Sequence, residues 1–454
     1  MMVTDPTSLI GDPGAEACGL LSGELCLAHL AHVIALRERA VMSDESSRIL
    51  VSELLALRTS VSSNDLDETL RLSTGSTADW LYADRSRSEA MGTAFVLMIR
   101  KRVLQFARGH LAFAETAVRL ADQHRDLVIS NTCGPLAGSV STLGHCLLTF
   151  VYPAFRDLER LQHCYRGFNS CPAGVGQHAN GARLSIDREC LRSLLGFDDT
   201  RIHTSDALWH GDGPIELMAA IVALLVNLNR MTDELRSWSV ADRAVDVAWI
   251  RALTSGLLAK VPILASLGKD VVENPDGCVS VAKELCAALD GAGRAIEWLT
   301  LFAQRSAATV ERCPVASAVS IHQTDMAEVI VAHSGISYSD AQLICGEIER
   351  LVAKGEVDLR TMTPEALEII SVQIVGRPVR LGTAILQSAM VPAQMVSARR
   401  GSGSVAPERV VGMVTECRAR LVRENLWVST ARQRLEMCET QLISQAQRIA
   451  AGSD

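Results

Sequence analysis

Pro214-Ile215-Glu216-Leu217-Met218-Ala219-Ala220-Ile221-Val222-Ala223-Leu224-Leu225-Val226-Asn227-Leu228 is the stretch that decides the fold. Between Ile215 and Leu228 only Glu216 and Asn227 are polar, so a helix here is apolar most of the way round. Such a helix is buried on several sides, as at the centre of a bundle or the core of an oligomer. Pro214 suits a first turn, and the helix is expected to run to about Trp238. Outward from it, helical spacing recurs almost everywhere. Residues 27–57 carry apolar positions three and four apart, with Arg37, Glu38 and Arg39 on the wet face. Residues 89–123 read as one long helix. After a break at 131–135, another helix runs from Ser141 to about Cys164. The run Cys171-Pro172-Ala173-Gly174-Val175-Gly176 then ends any regular element. No alternating strand of useful length is visible, and no period of 20–50 residues signals a solenoid. Aromatics are only 4% of the 454 residues, against 48% apolar, which favours helices packed through small aliphatic side chains. The class is all-α.

A net charge of −8 gives no electrostatic footprint for nucleic acid or anionic lipid. The 13 cysteines are odd in number and lack any CxxC or zinc-ligand spacing, so no metal site is expected. Cys146, Cys286 and Cys345 lie in apolar surroundings and read as small buried hydrophobes in a reducing compartment. Met1-Met2-Val3-Thr4-Asp5-Pro6 has no basic region leading into an apolar stretch, hence no secretory signal. The most apolar run, residues 217–228, is 12 long, short of the ~20 that span a bilayer. The expectation is a soluble, cytoplasmic protein without membrane or nucleic-acid partners.

From Pro407 onward, Val414, Leu421, Val428, Leu435, Leu442 and Ile449 recur every seven residues. The complementary seam (Cys417, Glu424, Ala431, Cys438, Gln445) is weak, so the helix reads as packed along its own bundle, with a coiled coil to a partner as the alternative.

Several segments, in order, resemble the argininosuccinate lyase branch of the fumarase/aspartase superfamily. Asp84-Arg85-Ser86-Arg87-Ser88-Glu89 is similar to its GRSRND segment, and Ile186-Asp187-Arg188-Glu189 with Leu194-Leu195-Gly196-Phe197 to its IDRE…LLGF. Leu228-Asn229-Arg230-Met231-Thr232-Asp233-Glu234-Leu235 resembles LSRxAEDL. Asp325-Met326-Ala327-Glu328 and Ser339-Asp340-Ala341-Gln342 stand at the LADYL…FREAH run. Arg399-Arg400-Gly401-Ser402-Gly403-Ser404-Val405-Ala406-Pro407 resembles RRxSxGGTAP. The resemblance implies a three-domain, all-helical protomer with a long central bundle. Its parts are an N-terminal helical domain (1–93), a central bundle (94–318), a small C-terminal domain (319–409) and a C-terminal helical extension (410–454). It also implies a homotetramer with pooled central helices, active sites built from three subunits, and chemistry that needs no cofactor.

That chemistry cleaves a C–N or C–O bond β to a carboxylate. It needs a base, a group to stabilise the aci-carboxylate and an acid for the leaving group. In the family the base is a serine on a GSSxMPQKKNP loop, and this chain has no such loop. Only 14 residues separate Trp238 from Leu253. Ser237, Ser239 and Ser255 lie near the gap without the flanking motif and read as ordinary helix-end or surface serines. Counting back from His145, the family's Thr-His pair falls on Cys133-Gly134, and its glutamines on Leu136 and Ser139. At Asp206-Ala207-Leu208-Trp209-His210-Gly211-Asp212 the family has D-x-x-SDRD, so Asp206 and Asp212 survive while His210 and Gly211 are new.

What remains is an anion site. Arg87 matches the substrate-carboxylate arginine and Ser86 its neighbour; a guanidinium takes a carboxylate bidentately, although a lone arginine also serves as a structural ion-pair partner. Gln177, His178, Asn180 and Arg183 lie on the loop that carries substrate contacts in the family. Gln177, Asn180, Arg183 and Asp212 join Ser86 and Arg87 as binding candidates. His178 and His210 are the acid–base candidates near neutral pH. Cys133 has no visible base. Two functions fit: a repurposed lyase acting on a small carboxylate-bearing or otherwise activated molecule, or a catalytically silent scaffold subunit. A family-type lyase whose base lies elsewhere is the lesser alternative; the expectation is that argininosuccinate releases no fumarate. The apolar faces of Leu217, Met218, Ala220, Ile221, Leu224, Leu225 and Leu228 are expected to exceed what one protomer can cover. Self-association would then bring Arg87, the His178 loop and His210 together from different protomers.

Overall fold

The structure, a computed structural model, describes residues 13–59, 66–130, 140–184, 186–208, 211–238, 247–270, 275–312, 323–358 and 361–452. Sixteen α-helices and four very short strands make up its regular elements. The first helices are α1 (Pro13–Glu38), α2 (Asp44–Thr59) and α3 (Leu66–Thr74), followed by a 3-10 turn (Gly75–Tyr82). Residues 27–57 are thus two helices where one continuous pattern stands in the sequence. The chain turns at Ala40 in the left-handed region (φ 54°), and α2 restarts where Ser43 Oγ accepts from Ser46 N at 3.2 Å.

The 37-residue α4 (Arg87–Gln123) is the axis of the molecule. β1 (Val128–Ser130) pairs antiparallel with β2 (Val140–Thr142), which delivers α5 (Leu143–Phe168). β3 (Ser170–Cys171) pairs in parallel with β4 (Asp199–Thr200), with α6 (Arg188–Leu194) between them and α7 (Thr204–Ala207) after. Then come α8 (Asp212–Trp238), α9 (Ala248–Asp270) and α10 (Pro275–Arg312). α4 packs on α5, α10 and α1, while α8 lies against α5, α9 and α10. A separate apolar core, including Met326, Ile330, Ile344, Ile348, Leu367 and Leu386, is built by α11 (Gln323–Ser334), α12 (Tyr338–Ala353), α13 (Pro364–Val375) and α14 (Thr383–Ser388). α15 (Pro392–Ala398) sets Met395 and Val396 against Val140 of β2.

α16 (Pro407–Ala451) is 45 residues long, and its seam (Val414, Leu421, Val428, Leu435, Leu442, Ile449) is buried in the main core. It lies on α4, α2, α1 and α5 of its own chain. The heptad spacing therefore serves an intramolecular groove.

The expectation for α8 is corrected. Leu217, Met218, Ala220, Ile221, Leu224, Leu225 and Leu228 are all between 0 and 7% exposed within the single protomer. α5, α9 and α10 cover these positions, leaving a face with Glu216, Ala219 and Val226 exposed, and Asn227 reaches Asp157 of α5, with Nδ2 at 3.2 and 3.0 Å from the two carboxylate oxygens. The bare apolar surface lies next door: on α9, Trp249 is 37%, Leu258 58% and Ile263 51% exposed, and Leu301 on α10 is 67% exposed.

Three helical segments among the described residues are long and apolar enough to cross a membrane by length and composition: Gly19–Glu38, Asp212–Arg236 and Ala248–Ser266. Judging by the longest unbroken run misses them, because isolated polar residues interrupt each one. The protein interior buries 72% and 56% of the first two and only 22% of the third.

Candidate functional site

The site starts at the turn that launches α4. Asp84 adopts φ 54°, and Ser86 Oγ caps the helix by accepting from Glu89 N at 3.1 Å. Arg85 and Glu89 are each 1% exposed and form an ion pair, Nε to Oε1 at 3.4 Å. Glu89 also accepts from Gly174 N at 2.8 Å and Val175 N at 3.1 Å. Burial pushes the Glu89 carboxyl up, against the pull of Arg85 and the two amides. At the far end of the same loop, Leu184 N donates to Asp84 Oδ2 at 2.6 Å. Two carboxylates of one six-residue turn thus clasp both ends of the 174–184 loop. Only glycine fits its neck: Gly176 has φ +83°, and a Cβ there would lie 2.6 Å from Gly181 O.

The loop tip exposes Gln177, His178, Asn180 and Arg183, and none of these side chains has a hydrogen-bond or ion-pair partner among the described residues. Ala179 between them is buried with Val175 against Ala207 and Leu208, and Ser205 Oγ donates to Ala179 O at 3.1 Å. The chain around α7 is thereby seated on the loop, two residues before His210. His210 itself lies outside the described residues. Asp212 opens α8, exposed, its Oδ1 accepting from Gly213 N at 2.9 Å. Arg87, the His178 loop and the approach to α8 are held together within one protomer.

Arg87 leaves 44% of its side chain exposed and sets Nε 3.5 Å from Asp67 Oδ2. Sequence reasoning missed Asp67. It accepts from the Tyr82 hydroxyl at 2.5 Å, and His29, fully buried, lies 3.6 Å from its Oδ1. Burial alone would raise the Asp67 carboxyl, but His29, Tyr82 and Arg87 outweigh it and hold it below the usual carboxylate range. Burial, with Arg85 adding to it, lowers the His29 imidazole.

The second segment of interest flanks α5. Cys133, Gly134, Leu136 and Ser139 lie outside the described residues. His145 Nε2 is 3.1 Å from Gly403 O and Nδ1 is 3.4 Å from Ser141 Oγ, joining the 399–407 turn to the head of α5. Arg399 pairs with Asp325 and donates through Nη1 to Val140 O at 3.3 Å. Burial pushes the Cys146 thiol up to about 11, which makes it a poor nucleophile. Of the three serines near the missing loop, Ser255 is exposed on α9; Ser239 and the Ser237 side chain lie outside the described residues. No cluster of metal-ligating side chains occurs among the described residues.

A lyase family model matches residues 36–244, the span that contains Asp67, Ser86, Arg87, the 174–184 loop and Asp212. The chain is 25% identical over 431 residues to argininosuccinate lyase of Methanothermobacter thermautotrophicus, covering 86% of this chain and 91% of that one. It is 26% identical over 433 residues to that of Halorhodospira halophila, covering 86% and 90%. Among solved structures, EDDS lyase in complex with formate superposes with a TM-score of 0.80 at 20% identity over 99% of both chains. The chain is a divergent argininosuccinate lyase-like member of the fumarase/aspartase superfamily. A 3-carboxy-cis,cis-muconate lactonizing enzyme from Pseudomonas putida shares the fold more distantly, with a TM-score of 0.60 at 16% identity over 92% and 98% of the chains. As a lyase-superfamily member, this protein keeps the arginine turn and the loop it clasps.

Proposed function

We propose that this protein is a repurposed lyase that binds a small carboxylate-bearing molecule at the Arg87 turn. There it would carry out an elimination, addition or intramolecular cyclisation, without a cofactor, in the cytoplasm. The observation that carries the reading is the clasped loop. Asp84 and Glu89, on either side of Arg87, hold the two ends of the segment that carries His178 and Arg183; in this reading the loop would offer a second guanidinium to an anion, and an imidazole of the type that changes charge near neutral pH. A substrate proton more acidic than that of a succinyl-amine would need neither the serine loop nor the missing histidine. Loss of both favours, as second reading, a catalytically silent scaffold of the same fold.

Argininosuccinate supplied to the purified protein is expected to release no fumarate at an ordinary enzymatic rate of ~1 s⁻¹, since acid–base groups worth about 10²- to 10⁴-fold each are gone. Turnover at that rate would refute the repurposing. A thermal-shift survey of di- and tricarboxylates then separates the two readings, because a silent scaffold with no anion site shows no stabilisation.

We further propose a homotetramer, assembled through α9 and α10. Burying a leucine or isoleucine contributes roughly 1.5–3 kcal/mol, and Leu258, Ile263 and Leu301 offer several such side chains. Light scattering is expected to find a tetramer, and Leu258→Asp with Ile263→Asp to dissociate it; a stable wild-type monomer at micromolar concentration would sink the assembly.

A further inference from the structure

Asp67 is where four segments of the N-terminal region meet: His29 from α1, Asp67 itself from α3, Tyr82 from the 3-10 turn and Arg87 from the start of α4. Arg85 stands behind them, with Nη1 3.4 Å from His29 Nδ1. The Asp67 side chain is only 16% exposed, and its Oδ2 takes both the tyrosine hydroxyl and the edge of the Arg87 guanidinium. A core built for stability alone has little use for a buried carboxylate pointed at a half-exposed arginine, because desolvating the charge offsets most of what the pair gains.

We infer that Asp67 is the positioning residue of this site: by engaging Arg87 at Nε, it fixes the plane in which the guanidinium meets an anionic substrate. The inference rests on Arg87 being a carboxylate ligand. A free arginine samples many rotamers and loses that freedom on binding, whereas one anchored along its edge has lost it beforehand. Bidentate recognition of a carboxylate depends on that plane. Charge works in the opposite direction. A negative Asp67 beside the site lowers the local positive potential, so if charge were its whole effect, removing it would tighten anion binding. Positioning requires that removal weaken it.

The experiment is calorimetric titration of fumarate, as a minimal dicarboxylate, into the full chain and its Asp67→Asn and Tyr82→Phe variants. Tyr82→Phe keeps every charge and deletes only the hydroxyl that pins Asp67. Affinity is expected to fall about tenfold in Asp67→Asn and a few-fold in Tyr82→Phe, with Asp67→Glu recovering part of the loss. Unchanged or tighter binding in Asp67→Asn overturns the inference. A wild-type protein that binds no fumarate overturns the anion reading of Arg87 instead. The anchoring is then decided without ligand, from the rate at which phenylglyoxal modifies Arg87, followed by peptide mass spectrometry. That rate is expected to rise several-fold in both variants, and equal rates overturn the inference. Should Asp67→Asn fail to fold, Tyr82→Phe carries both readouts.

Discussion

Asp67, at the edge of the site, and Asp157, in the middle of the bundle, are both largely withdrawn from water, yet they titrate in opposite directions. Asp67 is held below the ordinary carboxylate range, because a hydroxyl, an arginine and a histidine converge on it. Asp157 is pushed up to about 6: burial outweighs the Asn227 amide, and Arg160 reaches it from a largely solvated position. His110, 3.9 Å away and buried, is itself pushed down to about 4 and supplies no charge. Depth of burial therefore does not decide the protonation of an acid. The balance between burial and the donors that arrive with it decides. In the turn region the donors prevail at Asp67 but not at Glu89, whose carboxyl burial still pushes up against Arg85 and two amides; in the bundle burial prevails at Asp157.

The sharpest way to break that contrast is at Glu89. Glu89→Ala strands Arg85 in the core together with the Gly174 and Val175 amides, which is expected to cost about 3–5 kcal/mol by urea unfolding. Proteolytic nicking should also appear in the 177–183 loop. A loss under ~1 kcal/mol would mean that the clasp is incidental. The bundle gives a smaller effect with a distinctive sign. Folded Asp157 keeps a proton that the unfolded chain releases above its ordinary 3.8, so its contribution to stability falls as pH rises from about 4 to 6. Folded His110 refuses a proton that the unfolded chain accepts below 6.5, so its contribution is lost as pH falls from 6.5 through about 4. The two slopes oppose one another. Asp157→Asn is expected to unmask the histidine, leaving stability that rises by about 2–3 kcal/mol from pH 4 to 6.5. A flat profile in that variant would show that the bundle supplies its own compensation.

The sequence made some of this readable and hid the rest for physical reasons. α4, α8 and α16 carry enough turns for their period to stand out, and the 84–89 turn and the 171–189 loop are marked by short motifs. The identity of the partner that covers an apolar face is not periodic information. α8 and α9 look alike as strings, yet three neighbours bury 56% of one apolar window while only 22% of the other is covered. Asp67 was invisible because its meaning depends on His29, Tyr82 and Arg87, side chains from separate elements that only tertiary folding brings together. The division of residues 27–57 hinges on one left-handed alanine, a conformation that no composition signals.

The placement of α16 has a consequence for the order in which the protein is made. Its seam seals a groove formed by α1, α2 and α4, and Asn425 reaches back to Glu115 across 310 residues of chain. At ~5–20 residues per second, a ribosome needs roughly 15–60 s between those two positions. Throughout that interval the earliest helices wait with an open apolar furrow, exposed to holdases and to other nascent chains. The last helix is therefore a latch, and how quickly it is delivered bears on how much of each batch of synthesis escapes aggregation.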